Sequence, residues 1–191
     1  MANNALVNMF RIKELRERIV FTVAILAVFR LGSVLTIPGI DPVALTTFFK
    51  SQIKGNAFVD YMDFFAGGAF SNFSVFMLGV MPYISTQILM QLALIIFPSL
   101  KKAAEEDGGN KKIQSWTRIA TIAVALIQSY AVTVYAQSIP GAVVIGKLSY
   151  TLIAMLTVTT GTMITVWLGE QITARGIGNG ISMLIFADIV A

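Results

Sequence analysis

Long apolar runs separated by short polar connections make up most of this chain. Ile19–Ile37 is apolar except for Arg30, Ile119–Ala136 and Leu148–Leu168 are predominantly apolar, and Ile181–Ala191 starts another such run. The first three are close to the roughly 20 residues that a membrane-crossing helix needs. One stretch breaks the pattern. Asp60–Pro98 opens with the amphipathic Asp60-Tyr-Met-Asp-Phe-Phe-Ala, is interrupted at Gly67-Gly68, and steps through Ser71-Asn72-Phe73-Ser74. It then continues as an apolar run from Val75 to Phe97-Pro98, with Gly79 and Pro82 inside it. Proline in a helix interior removes one backbone bond and presses on the carbonyl four residues earlier, here Leu78. The pattern predicts a short half-helix, a hinge, and a bent full helix over Ser74–Phe97, in the manner of elements that line membrane cavities.

The connections between the runs are polar. Residues 1–18 form an arm ending in Arg11-Ile-Lys-Glu-Leu-Arg-Glu-Arg18, and Phe10, Ile12, Leu15 and Ile19 share one face, as in a short interfacial helix. The first run is not a cleaved signal peptide, being too long and lacking a small-residue cleavage site. Pro38-Gly-Ile-Asp-Pro42 predicts a turn and a loop to about residue 57, Lys101–Gln114 a charged loop, Gln137–Lys147 a short loop, and Gly169–Gly180 a glycine-rich loop. The last run has 11 residues, short of a span, and reads as a piece of a longer protein. The alternative, a half-inserted end, would leave carbonyls unbonded in lipid.

Composition turns these runs into a membrane assignment. Of 191 residues, 56% are hydrophobic and 13% charged, with a mean hydropathy of +0.77, against about 25% charged in soluble domains. The absence of cysteine and histidine excludes disulfides, thiol chemistry, the commonest zinc sites and histidine general-base catalysis. No cofactor is implied. The placement of the 14 Lys and Arg gives an orientation. Four lie in the arm, five in Lys101–Arg118 and one at Arg175, whereas Lys50, Lys54 and Lys147 fall on the other side. Positive charge stays inside, so the N-terminus is expected in the cytoplasm of a multi-pass protein of the inner (plasma) membrane. The basic clusters carry no aromatic platform for nucleic acid.

Several apparent motifs fail. Gly176-Ile-Gly-Asn-Gly180 follows a helix and has the wrong spacing for a dinucleotide fingerprint. Asp107-Gly-Gly-Asn-Lys-Lys lacks the phosphate-loop spacing, and Glu105-Glu106-Asp107 reads as a solvated loop. Arg30, late in its run, either snorkels to the far surface or pairs inside the bundle. Asp188 is an acid inside an apolar run, functional if it is dry and unremarkable if the run is partly wet. Val80 and Ile84 share a helix face. Ser85, Gln91 and Gln128 are uncharged polar residues within runs, where helix–helix hydrogen bonding is the ordinary role.

The segment Thr160-Gly-Thr-Met-Ile-Thr-Val-Trp-Leu-Gly-Glu-Gln-Ile-Thr-Ala-Arg-Gly-Ile-Gly-Asn-Gly-Ile-Ser182 closely resembles the SecY family of bacterial protein-conducting channels. So do Phe29-Arg-Leu-Gly-Ser33, Ile37-Pro-Gly-Ile-Asp41, Phe65-Ala-Gly-Gly-Ala69 and Leu78-Gly-Val-Met-Pro-Tyr-Ile-Ser85. The resemblance implies an all-α polytopic membrane protein: the N-terminal five-helix half of a ten-helix, pseudo-symmetric channel with a short re-entrant plug helix. The implied spans are about 19–37, 74–97, 116–136, 148–168 and a truncated 181–191, with the plug at about 60–70. The resemblance places Asp60, Met62, Phe64, Phe65, Gly67 and Gly68 in the plug, with Gly67-Gly68 as its hinge. It assigns Val80, Ile84 and Ile185 to a hydrophobic pore ring, Ser85, Gln91 and Gln128 to a lateral gate, and Glu170, Arg175, Gly176 and Gly178 to a cytoplasmic loop. Branched apolar side chains suit a gasket, because they offer a passing polypeptide nothing to stick to and a dry constriction resists ions.

The implied partners are SecE and SecG subunits, the SecA motor ATPase, the ribosome, the signal sequences of secretory and membrane proteins, and the bilayer. The channel itself is no enzyme. The chain departs from the family at Val80, where isoleucine is frequent, at Gln87, usually small, at Ala174, often an acid that would pair with Arg175, and at Asp188, usually glycine. Two other readings compete. A small-solute or ion transporter with a discontinuous helix needs polar groups at mid-membrane, where the interrupted stretch offers Phe76, Val80 and Ile84. A membrane enzyme built on Glu170 needs a second catalytic group, and its loop supplies only Arg175 and amides.

Overall fold

A computed structural model describes residues 12–52, 69, 72–106 and 108–190. Helix α1 covers Lys13–Val34, α2 Pro42–Gln52, α3 Met81–Ile96 and α4 Pro98–Glu105. Helix α5 covers Gly109–Ser138, α6 Lys147–Arg175 and α7 Gly180–Val190. The plug positions Asp60, Met62, Phe64, Phe65, Gly67 and Gly68 lie outside the described residues, as do residues 1–11 of the arm.

Several helix limits differ from the expectations, each for a local reason. Lys13–Arg18 are the first turns of α1, not a separate interfacial helix. The expected loop after Pro38 contains α2, because Asp41 accepts from the Val43 amide at 2.8 Å and Pro42 opens the helix. The expected helix over Ser74–Phe97 starts only at Met81. Gly79 has φ +50°, outside the right-handed helix, so residues 72–80 run as consecutive turns. Pro82 therefore stands in the first turn of α3, where its missing N–H costs nothing, and does not kink a helix interior. The charged segment Lys101–Gln114 is mostly helical rather than a loop, shared between α4 and the start of α5. Helix α6 likewise continues to Arg175, leaving only residues 176–179 as a loop.

The sharp feature is at Phe97-Pro98. Phe97 adopts φ −106°, ψ 101°, the extended region that a following proline enforces, and α4 leaves α3 at 104°. Helices α5 and α6 are each long and apolar enough to cross a membrane, and α3 with α4 makes a third if the bent pair counts as one. Among the described residues the chain is thus all-helical, with two to three membrane-span candidates.

Helix α6 is central, packed against α1, α5 and α7, while α5 also carries α3 and α4. The α5 face buried in the bundle is Thr117, Thr121, Ala125, Ser129, Thr133 and Ala136, a step of three to four that keeps one side of the helix. Small residues let helices approach closely where lipid supplies no hydrophobic drive. The hydroxyls of Thr117, Thr121 and Thr133 donate to carbonyls one turn back at 2.7–2.8 Å, so burial leaves no orphaned donor there. Gly161 on α6 meets the turn before α3 so closely that an added Cβ would collide with the Val75 carbonyl.

Two apolar clusters result. One gathers Ile37, Ile40, Leu45, Phe73, Met77, Ile139 and Tyr150 at the end remote from the basic segments. Short antiparallel contacts brace it: the Ile37 amide donates to the Phe73 carbonyl at 2.9 Å and the Val75 amide to Leu35 at 2.8 Å. The second cluster holds Ile25, Phe29, Phe76, Val80, Leu168, Ile172 and Leu184. Within it Phe29 and Phe76 stack with ring centroids 5.6 Å apart.

Candidate functional site

The site lies where the start of α3, the end of α6 and the start of α7 converge. Ile84 and Ile185 pack against the second apolar cluster, of which Val80 is a buried member, so the three ring positions meet in one apolar region. Val80 is the residue just before α3 and is 3% exposed. Its carbonyl accepts from the Ile84 amide at 3.0 Å, which holds the two side chains one turn apart.

A cavity of about 660 Å³ adjoins this region, lined by Ile84, Ile185, Tyr83 and Ile181 and by the polar Gln87, Gln114, Arg118, Glu170, Asn179 and Ser182. Its walls have a gradient. Along α3 the lining passes from Gln87 to Ile84, and Val80, one turn on, is closed off in the cluster. Along α7 the lining passes from Ser182 to Ile185, and the buried carboxylate Asp188 follows one turn on. The polar part of the lining therefore adjoins the branched apolar side chains of Ile84, Ile181 and Ile185.

The loop residues fix the rim. Glu170 accepts from Arg118 Nε at 2.8 Å, joining α6 to α5 across the cavity wall. That pairing occupies the only acid proposed for an enzyme. Gly176 and Ile177 are tied to α1: Arg18 Nη1 donates to the Gly176 carbonyl at 3.5 Å and the Ile177 amide to Thr22 Oγ1 at 3.2 Å. Gly178, with φ +68°, completes the turn in open space. Asn179 Oδ1 then accepts from the Ile181 and Ser182 amides at 3.1 and 3.3 Å, and Thr173 Oγ1 accepts from Gly180 at 2.8 Å. The first donors of α7 are thus all capped. Arg175 is exposed and makes no hydrogen bond or ion pair among the described residues.

The gate positions are dispersed. Gln91 is exposed and lines a separate groove of about 240 Å³ between α3 and α5, with Met90, Leu94, Ile113 and Thr117. Ser85 is half-buried on α3 and Gln128 half-buried on α5, and neither lines that groove. None of the three makes a side-chain hydrogen bond among the described residues, so the helix–helix bonding expected of them is not seen there. Sequence reasoning missed Thr22, Arg118, Thr173 and Asn179. Asn179 was readable, since an asparagine before an apolar run is a cap signal. The Arg118–Glu170 pair, 52 residues apart, carries no local signal.

Comparisons with known proteins agree with this geometry. The SecY family profile matches residues 74–191. The chain is 53% identical over 183 residues to the protein translocase subunit SecY of Borreliella burgdorferi, an alignment covering 96% of this chain and 42% of that one. It is 44% identical to the subunit of Aquifex aeolicus, covering 96% and 44%, and 42% identical to that of Escherichia coli K12, covering 93% and 41%. The chain therefore spans somewhat under half the length of these relatives. In fold it is similar to Sec61 in the canine ribosome-channel complex from the endoplasmic reticulum, with a TM-score of 0.63 at 16% identity over 94% of this chain and 38% of that one. A structure described as that of a protein conducting channel gives the same values. The profile and the long alignments at 42–53% identity establish that the chain belongs to the SecY family.

Proposed function

We propose that this chain is the N-terminal half of the central subunit of a protein-translocation channel, passing unfolded secretory polypeptides across the membrane and releasing transmembrane segments sideways into lipid. The observation that carries the proposal is the polar cavity of about 660 Å³ ending on Ile84 and Ile185, with Val80 behind them. In this reading the complete subunit has ten spanning helices in two pseudo-symmetric halves. Val80, Ile84 and Ile185 are part of its hydrophobic ring, and Asp60–Phe70 forms the plug on the external side. Helices α3 and α5 form one side of the lateral gate, and Ser85, Gln91 and Gln128 are its polar positions. Glu170 and Arg175 at the end of α6, Gly176 and Gly178 in the loop after it, and the N-terminus all lie on the cytoplasmic side. The channel is passive and not itself an enzyme. Its driving partners are a SecA-type motor or a translating ribosome, with SecE and SecG as companion subunits; the Sec61 neighbour in fold is itself described in a ribosome-channel complex. Family membership weighs against both the small-solute transporter and the enzyme.

In the complete protein, Ile84→Asn loosens the seal. Resting ion leak rises, and secretory chains with defective signal sequences are admitted. Unchanged leak together with unchanged signal stringency would refute the ring assignment. A cysteine at Ile84 cross-links to a cysteine in a stalled secretory chain, and failure to do so removes Ile84 from the path.

A further inference from the structure

Two charged side chains line the cavity, and each is the other's partner. Among the described residues, Arg118 and Glu170 are the charged members of the lining, and the rest is carboxamide, hydroxyl or apolar. Arg118 stands on α5 and Glu170 on α6, and Arg118 Nε donates to Glu170 Oε1 at 2.8 Å. Neither side chain has a further hydrogen bond or ion pair among the described residues, so the Nη groups and Oε2 stay available. The two side chains are 44% and 21% exposed. Clamping α5 to α6 does not require charge. At the other end of the same interface Gln137 Nε2 donates to Thr151 Oγ1 at 2.7 Å, and between the two ends the hydroxyls of Ser129 and Thr159 lie 3.5 Å apart. Arg175, farther along α6, and Lys112 on α5 do not line the cavity.

We infer that the Arg118–Glu170 pair keeps the cavity free of net charge, and so sets how evenly acidic and basic stretches of a translocating polypeptide pass through it. The inference rests on the channel reading. An unpaired charge in a half-enclosed cavity attracts an opposite charge more strongly than one in bulk water, because its surroundings are less polarisable. A guanidinium alone would hold the acidic residues of a passing chain and turn away the basic ones, and a carboxylate alone would do the reverse. Paired, the two cancel. An acidic residue that binds Arg118 must displace Glu170, which exchanges one ion pair for another at little net gain. The same holds for a basic residue at Glu170. Both are therefore specificity-determining residues, acting through charge balance rather than through the fit of one ligand.

The test uses the complete protein with its translocation partners in sealed proteoliposomes without a membrane potential, so that no field acts on the charges of the chain. Two secretory chains are compared, identical except for a central run of aspartates in one and of lysines in the other. The readout is the ratio of the acidic to the basic translocation rate. Glu170→Gln leaves Arg118 unpaired and lowers the ratio about fivefold, the scale of one partly exposed ion pair. Arg118→Gln raises it by a similar factor. Glu170→Gln combined with Arg118→Gln leaves no charge in the lining and returns the ratio to that of the unaltered protein. A merely structural tie would slow both chains together and leave the ratio unmoved. A ratio unmoved in Glu170→Gln, a shift of the same sign in both single variants, or a ratio still displaced in the double variant overturns the inference. If Arg118→Gln does not accumulate, Glu170→Gln and the double variant still decide. In each of those outcomes translocation by the unaltered protein leaves the channel reading standing. Failure of the unaltered protein to translocate either chain overturns that reading, and the charge balance falls with it.

Discussion

Phe73 has φ +43° and is fully buried, a pairing that costs of order 1 kcal/mol in backbone strain for a residue with a Cβ. Its ring stacks on Tyr135 with centroids 6.3 Å apart, and its carbonyl anchors Ile37. Burial of an aromatic ring, worth roughly 2–3 kcal/mol, outweighs the strain. Tyr150 is a contrasting case in the same cluster. Its ring is completely buried, yet its hydroxyl has no hydrogen-bond partner among the described residues. An unsatisfied buried hydroxyl costs about 1–3 kcal/mol, so Tyr150→Phe keeps the packing and removes the penalty. The expected result is an unchanged or higher melting temperature for the detergent-solubilised complete protein. A fall of several degrees would mean that the hydroxyl is bonded and that the cluster is tighter than it looks.

At the scale of elements, the loop between α6 and α7 shows how one side chain sets a helix. Asn179→Ala removes the acceptor for two amides of α7 at a cost of about 1 kcal/mol. Hydrogen exchange at Gly180–Met183 then speeds up by roughly fivefold, since local opening follows that free energy; unchanged exchange would show that Thr173 alone holds the helix start. The apolar runs of α5 and α6 were legible from the sequence because a membrane demands length and hydrophobicity in one continuous segment. The start of α3 was not. Pro82 supports two readings, an interior kink or a first-turn residue, and the choice depends on Gly79, whose positive φ ends the preceding turns. Helix α2 was legible in principle, through Asp41-Pro42, but the proline-glycine turn just before it dominated the reading. A ring role for Val80, Ile84 and Ile185 could be proposed only through the family resemblance. Their meeting joins positions 80, 84 and 185, and nothing local in the chain encodes a separation of that size.

For the whole molecule, the decisive quantity is orientation, because on the proposed function it determines which end of the cavity would receive a polypeptide. The cavity wall carries Arg118 and Glu170, and the same end of the bundle bears Arg18 and the loop that it contacts. The remote end bears Ile37, Ile139 and the turn at Gly141. Ten of the 14 basic residues belong to segments assigned to the first end from the sequence, so on the proposed function the positive-inside rule predicts a cytoplasmic vestibule. On the proposed function, a polypeptide entering there would meet the polar wall before the apolar closure. The 191 residues contain no cysteine, which makes the assignment directly measurable by single-cysteine labelling. Asn110 and Ser138 are both exposed, at opposite ends of α5. With a membrane-impermeant maleimide, a cysteine at Ser138 reacts in intact spheroplasts and one at Asn110 reacts only in inverted vesicles. The reverse pattern would turn the vestibule outward, and the translocation reading would fail even though the family assignment stood.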